Sequence, residues 1–569
     1  MSDDRPGEFI TDPEHEFLGH PKGLYVCFAT ELWERFSFYG MKFLLLLYLT
    51  KYHLFTDSMG LDVLGAYAGL VYALPVIGGL LADRYLGFRK AVVFGGILLS
   101  LGHILMAVEG TQATTLADGT VVRDEGALNV FYLALALIVA GVGYLKPNIS
   151  TIVGRLYPKH DARRDSGFTI FYMGINIGSF TATLLCGWLG ETYGWKYGFG
   201  AAGIGMIIGL ITFLWGQKYL MGHAEPSEPE RLKKSALGPI NVEWAIYLLS
   251  IVSLGVIWWL VQSVAVVHTA QNSLLIVAIV SLILYAMMHQ VGAFEDKTAV
   301  GLAVATAVLG LVWAFTDIDI WLGLMLLGLV VFVTYGFMRH NSNEYGQTVV
   351  LMVLIVSSIV FWALFEQSAA SMTLYADRVV DRDVGGITFT AAQFGSLNAG
   401  FIMLLAIPFA AMWVWLAKRN LEPSTPVKFA LGIMQAGLGF GALVLGAQFP
   451  DEAGKVGAIW LVLAYLLHTT GELMLSPVGL SAVTKLSIGR VVGVSMGTWF
   501  LATALSETLA TQLSKLAHIE TVGGEATDVA AALNAYTGLF EFLMWLGLGV
   551  GAFMLIISPL LRKAMHDVH

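Results

Sequence analysis

The chain has 569 residues, 57% of them hydrophobic and only 13% charged, and its formal net charge is −9. Soluble domains carry about 25% charged residues, so this composition excludes a soluble globular protein and indicates a polytopic membrane protein embedded in a lipid bilayer. The acidic balance argues against nucleic acid as a partner, and Cys27 and Cys186 both lie in apolar stretches, which leaves no basis for a disulfide framework or a thiolate metal site.

The opening stretch, "MSDDRPGEFITDPEHEFLGHPKG", is polar and acidic where a secretory leader would be basic and then apolar; residues 1–22 are expected to be a cytoplasmic tail with no cleaved segment. A spanning helix needs roughly 20 mostly apolar residues. Such stretches fall at 23–50, 62–84, 90–108, 127–155, 166–189 and 195–219, which predicts an N-terminal six-helix bundle over 23–220. A polar connector carrying "GHAEPSEPERLKKSALGP" opens the region 221–345, where segments at 242–265, 273–290, 299–316 and 319–338 read as inserted, lipid-facing accessory helices. A second set at 346–375, 389–417, 427–448, 456–485, 491–516 and 533–561 predicts a C-terminal six-helix bundle over 346–562, followed by a cytoplasmic tail, 563–569. The total is sixteen; fourteen is the alternative, because several middle segments are near the minimum spanning length. Lys and Arg collect on the cytoplasmic side of membrane proteins. With the N-terminus inside, 22 of the 32 fall in cytoplasmic regions, 7 in outer ones and 3 within helices, so count and orientation agree.

An ionised side chain at the centre of a spanning helix costs about 2.5–3.5 kcal/mol on insertion scales, so charges there need partners or a water-filled cavity. The stretch "ELWERFSFYGMK" at 31–42 carries four. At about 100° per residue, Glu31, Arg35, Phe38 and Lys42 share a narrow stripe with Glu34 and Tyr39 on its flanks. A structural ion-pair seam is the plain alternative, but four charges over three turns favour a cavity wall. Lys146, in "GVGYLKPNIS", lies too deep to snorkel to the inner loop at 155–164. The second block supplies acids: Glu366 in "FWALFEQSAAS" and Glu472 in "HTTGELMLSPVGLSAVTK", neither with a cation within one turn. Four buried carboxylates thus face three buried cations, Arg35, Lys42 and Lys146, and the acid left without a fixed partner is a reason to expect proton coupling. Two similar halves with polar residues meeting at mid-membrane is the plan of an alternating-access transporter. Tyr72, Asn176 one turn after Tyr172, Asn398, and Ser476 one turn after Glu472 add neutral donors, while Trp362, Trp499 and Phe500 could form apolar walls. Taken singly, each of these is equally a helix-packing group.

Together the segments resemble the proton-dependent oligopeptide transporter family of the major facilitator superfamily. "ELWERFSFYG" is similar to the family's ExxER signature on its first helix, "GGLLADRYLGFRK" to the loop after the second, "GYLKPNIS" to the lysine of the fourth, and "FYMGINIGSF" to the fifth. "FWALFEQ", "GELMLSPVGLS" and "MGTWF" are similar to signatures on the first, fourth and fifth helices of the second block. The resemblance implies an all-α major facilitator fold with helices inserted between its two bundles. It implies symport of di- and tripeptides with protons into the cell, across the inner membrane of a bacterium, with both termini cytoplasmic, no enzyme activity, and no cofactor or metal beyond the coupling proton. Matched positions place the peptide carboxylate near Arg35, Tyr39 and Lys146, the amino terminus near Glu472 and Asn398, and the backbone near Asn176 and Tyr72. Glu31, Glu34 and Lys146 would form a proton-linked cluster, with Arg35 beside it, and Glu366 would exchange a salt bridge with Lys42 at the outer entrance.

The chain departs from the family's pattern in four places. Lys42 stands where an arginine is usual and cannot make a bidentate fork, which predicts a weaker outer gate. Phe38 replaces a frequent tyrosine, removing a hydroxyl from the binding-site wall. Gly65 replaces the histidine of animal members, and four inserted helices are counted where bacterial members usually have two. The alternative within the family is a carrier of another anionic or zwitterionic solute, such as nitrate or a peptide-like drug; the acid at Glu472 favours a zwitterion over a plain anion. An intramembrane enzyme is the alternative outside it, but no HExxH occurs, and His468 before Glu472 is the nearest approach.

Overall fold

The structure is a computed structural model that describes residues 16–158, 161, 163–263, 273–291, 293–340, 342–487 and 492–566. Its described residues hold sixteen helices of eighteen residues or more, and these fall on the sixteen apolar segments. The first six are α1 (Lys22–Leu47), α2 (Asp57–Leu81), α3 (Phe88–Met106), α4 (Glu125–Arg155), α5 (Arg164–Tyr193) and α6 (Trp195–Gly216). Four follow: α7 (Val242–Gln262), α8 (Leu274–Val291), α9 (Lys297–Thr316) and α10 (Asp319–Arg339). The last six are α11 (Asn343–Phe365), α12 (Ser396–Ala417), α13 (Thr425–Gly446), α14 (Ala458–Leu486), α15 (Val492–Ser514) and α16 (Val529–Met565). Thirteen of these are long and apolar enough to cross a membrane. The remaining three are α1 with its charged stripe, α8 with its shorter apolar run, and α15 with its Ser and Thr content.

Small residues set how closely the helices cross, as they must where lipid supplies no hydrophobic drive between helices. A Cβ on Gly78 of α2 would lie 2.1 Å from the Gly143 carbonyl of α4, and one on Gly178 of α5 would lie 2.2 Å from the Leu32 carbonyl of α1. These contacts bring α2 against α4 and α5 against α1, which turns the charged stripe of α1 away from lipid. Thr56, Asp124, Asn241 and Asp528 cap the helices that follow them by accepting backbone N–H bonds. Paired strands of two or three residues clip the connections; Val380–Asp381 pairs in parallel with Val456–Gly457 and joins two loops of the last six helices.

The inserted helices divide their attachment. The α7 helix lies on α4 and α2, fastened by Tyr144 Oη to Ser250 Oγ at 2.6 Å and by Lys90 Nζ donating to both Glu243 oxygens at 2.7 Å. The α8 helix packs instead on α11 and α15, and α9 and α10 lie outside it.

Candidate transport site

The buried charges of the first six helices sort into three groups. On α1, Arg35 donates from Nη2 to Glu34 Oε1 at 2.6 Å, its Nε pairs with the other oxygen of Glu34, and the same nitrogen lies 3.3 Å from Glu31 Oε1. The second oxygen of Glu31 is buried and has no partner among the described residues. One guanidinium therefore serves two carboxylates.

About two turns beyond Arg35 on the same helix, Lys42 donates to Glu366 Oε2 at 2.8 Å and to Glu507 Oε1 at 2.9 Å. Glu366 lies in the turn that ends α11 and Glu507 on α15, so this ammonium joins the first six helices to two different helices of the last six. Lysine carries three rotatable donors on a point charge, so one ammonium can serve two carboxylates that approach from separate directions. The fork that an arginine would make is missing, and a second acid lies within reach instead. The expectation for Phe38 is corrected. Its ring is buried rather than on a wall, with Arg35 Cζ 4.9 Å and Lys42 Nζ 5.9 Å from its centroid, so it separates the two cationic groups.

Lys146 of α4 holds its ammonium 4.1 Å from the ring centroid of Tyr72 on α2. Glu31 and Glu34 are within its electrostatic reach, but among the described residues no carboxylate comes within the 4.0 Å of an ion pair. The expected cluster of Glu31, Glu34 and Lys146 is thus assembled in space, with an aromatic face as the lysine's direct contact.

Across the bundle, Glu472 of α14 accepts from Asn398 Nδ2 of α12 at 2.9 Å, and the same amide nitrogen reaches Thr469 Oγ1 at 3.1 Å. Among the described residues Glu472 has no cation as a partner; the group it meets is neutral. Asn176 spends its amide on the Tyr172 carbonyl one turn back on α5. Tyr39 is half-buried and stacked on Phe43, Trp362 presents a buried indole N–H with no partner among the described residues, and Ser476 is half-buried one turn beyond Glu472. Trp499 and Phe500 part company: Trp499 is buried against Gly479, where a Cβ would meet its ring at 2.3 Å, whereas Phe500 is exposed. His468 packs under Gly439 and meets the Ala436 carbonyl at 3.0 Å, a helix contact rather than part of a site. Among the described residues no group of His, Cys, Asp or Glu is arranged to hold a metal ion.

Beyond Lys42, toward the α1–α2 connection, more ion pairs join the two sets of six. Arg378 grips Asp57 with both terminal nitrogens at 2.6 and 2.7 Å. Lys51 meets Asp377 at 2.7 Å and Glu525 at 2.9 Å, Lys515 pairs with Asp62, and Glu191 accepts from the Ala391 and Ala392 amides beside Arg382. Among the described residues, every ion pair between the first six and last six helices lies at this end.

Glu507 and these outer pairs are absent from the expectations drawn from sequence. The rule that marks Glu366 and Glu472 applies equally to Glu507, a lone acid within "ATALSETLATQ", but the Ser and Thr around it blunt the apolar contrast. Asp57, Asp62, Asp377 and Arg378 lie at helix ends, where charge is ordinary and carries no signal by itself.

A model of the POT family matches residues 89–236 and 251–529. The peptide transporter YePEPT of Yersinia enterocolitica is 36% identical over 502 residues, covering 86% of each chain. A di-/tripeptide transporter of Lactococcus lactis is 33% identical over 579 aligned positions, covering 98% of this chain and 99% of its own. A crystal structure of peptide transporter POT in complex with sulfate superposes with a TM-score of 0.70 at 33% identity over 97% of both chains. The fold is that of the major facilitator superfamily, two six-helix bundles with helices inserted between them, and the chain belongs to the POT family, the proton-dependent oligopeptide transporters that its motifs resemble.

Proposed function

We propose that the chain is a proton-coupled symporter that takes up di- and tripeptides by alternating access. The observation that carries this reading is the division of charge: Arg35 and Lys146 lie on the first bundle and Glu472, held by Asn398, lies on the second. A zwitterion is the solute that satisfies both. Its carboxylate goes to Arg35, Tyr39 and Lys146, its ammonium to Glu472, and its backbone to Asn176 and Tyr72, with Trp362, Ser476 and Trp499 around it. Phe500, being exposed, joins this set only if the bundles move. Relatives named as peptide and di-/tripeptide transporters support the same class. The peptide leaves as it entered, without a chemical step.

Proton coupling is assigned to Glu366 and Lys42 at the gate, and to Glu31, Glu34, Arg35 and Lys146 beneath it. A proton arriving at Glu366 removes one of the two charges that hold Lys42, so protonation favours the open gate and deprotonation the closed one. Both termini are assigned to the cytoplasm of a bacterium and the chain to its inner membrane, which makes the ion-paired end the outer one. Residues 23–220 and 346–562 form the two moving bundles, and 221–345 the accessory region.

Uptake of a labelled dipeptide into proteoliposomes tests the reading. Peptide should accumulate under an imposed inward pH gradient and potential, and accumulation should collapse with a protonophore. A proton leak that does not depend on peptide, with no accumulation, would overturn it.

A further inference from the structure

We propose that Glu507 is a second proton-exchanging carboxylate of the outer gate, sharing the Lys42 ammonium with Glu366. The proposal rests on the symport reading above and adds to it a residue and a proton. Lys42 is nine-tenths or more buried and sits 2.8 Å from Glu366 and 2.9 Å from Glu507. Both acids belong to the second bundle, and among the described residues the only cation paired with them belongs to the first. When the bundles part at this end, Lys42 leaves with α1 and the two carboxylates stay behind together on the second bundle.

Two carboxylates at that separation with no cation cannot both remain ionised. The groups that face them do not relieve the repulsion. From α1 come Tyr39 and the departing Lys42, from α2 come the hydroxyls of Tyr67 and Tyr72, and from α14 comes Glu472, a further acid on the Glu366 side. Arg35, the next cation along α1, is already held by Glu34 and Glu31. Repulsion demands a proton from the outer water on at least one of the two acids, and each acid loses its own ammonium contact, so each takes one proton and releases it when Lys42 returns. With Glu366 alone the gate exchanges one proton for one cation. With Glu507 beside it, the withdrawal of one ammonium uncovers two acids, and the gate takes up two. Close packing holds the second acid in place: a Cβ on Gly65 of α2 would lie 2.3 Å from Thr511 Oγ1, one turn along α15 from Glu507.

A role in anchoring Lys42 alone would leave the proton count untouched, so the test is stoichiometry. The proton-to-peptide ratio is measured from the reversal potential of dipeptide flux in proteoliposomes of the full-length protein, together with the pH midpoint of uptake. Glu507→Gln should lower the ratio by one proton per peptide and move the midpoint, while Glu507→Asp should keep the wild-type ratio. A Glu507→Gln protein with the wild-type ratio and midpoint overturns the proposal while leaving symport intact. A wild-type protein whose flux ignores the proton gradient overturns the symport reading, and this proposal with it. If Glu507→Gln elutes as aggregate, Glu507→Asp decides on its own: its shorter reach to Lys42 should shift the pH midpoint, and an unshifted midpoint overturns the proposal.

Discussion

A lysine at position 42 reaches two carboxylates on two helices, and its consequences can be measured one side chain at a time. Glu366→Gln should abolish net accumulation while leaving peptide-for-peptide exchange, because exchange needs no proton-driven return of the empty carrier. Normal accumulation in that variant, read in liposomes under a pH gradient, would remove Glu366 from the coupling path. Lys42→Arg should remain active and shift its pH midpoint toward acid, since a guanidinium fork holds the carboxylates ionised more strongly and a lower external pH is then needed to protonate them. Lys146→Ala should abolish gradient-driven accumulation by removing the second cation, after Arg35, within electrostatic reach of Glu31 and Glu34; accumulation at the wild-type level would rule out that role. At this scale much of the site was legible. A charge inside an apolar helix stands out because burying it is costly, which is how Glu31, Arg35, Lys42, Lys146, Glu366 and Glu472 declare themselves. What could not be read was pairing. That Glu472 faces Asn398 and that Lys146 faces the Tyr72 ring depend on how helices rotate against each other, which no single helix encodes.

Helices were the most legible level, because a run of about twenty apolar residues has few other uses. Attachment was not. The middle four segments all read alike, yet α7 is riveted to the first bundle by Tyr144, Ser250, Lys90 and Glu243, α8 rides on the second, and α9 and α10 hang outside. Removal of α9 and α10 with a short linker should therefore lower yield more than specific activity, and a correctly inserted variant that binds peptide but cannot transport it would contradict this. Asp296 locks the outer pair of helices. It caps α9 through the Thr298 and Ala299 amides, and its other oxygen accepts from Tyr335 and faces His340 Nε2 at 2.8 Å. The His340 contact first, then the Tyr335 hydroxyl and the cap, hold its carboxyl down at about 2. A lowered carboxyl stabilises the folded state above its ordinary range and loses that contribution as pH falls toward 2. Asp296→Ala should lower the melting temperature by a few degrees, in line with the loss of one helix cap, with transport retained; an unchanged melting temperature would show that the cap carries no weight.

Among the described residues the ion pairs that join the two halves all lie at one end, and that asymmetry was not in the sequence at all. Lys and Arg counts assign a side to each loop, but which end is closed depends on distances between bundles that a carrier changes in every cycle. Asp57→Asn should tilt the balance, because it removes the counter-charge of the buried Arg378 and leaves it neutral acceptors such as the Gly524 carbonyl and the Tyr536 hydroxyl. Stripping one partner from a buried pair costs about 3–5 kcal/mol, and the closed arrangement alone bears that cost. Spin labels on the exposed loops at Asp118 and Thr388 should then report a second, longer distance; a distribution identical to wild type would mean that the Asp57 pair does not hold this end shut. The same pairs also impose an order of events. Glu525 at the surface is 62% exposed, whereas Arg378 is fully buried and Lys42 and Glu507 lie almost as deep. On the symport reading, external acid would meet Lys51 and Glu525 before it could reach Glu366, and the buried Arg378 pairs with Asp57 at the same end. On that reading the rim would have to fray by thermal motion before a proton had anywhere to land. Acidity would then act as a ratchet that captures an opening already made, and the frequency of that fraying, set in part by Asp57 and Arg378, would cap the turnover however steep the gradient became.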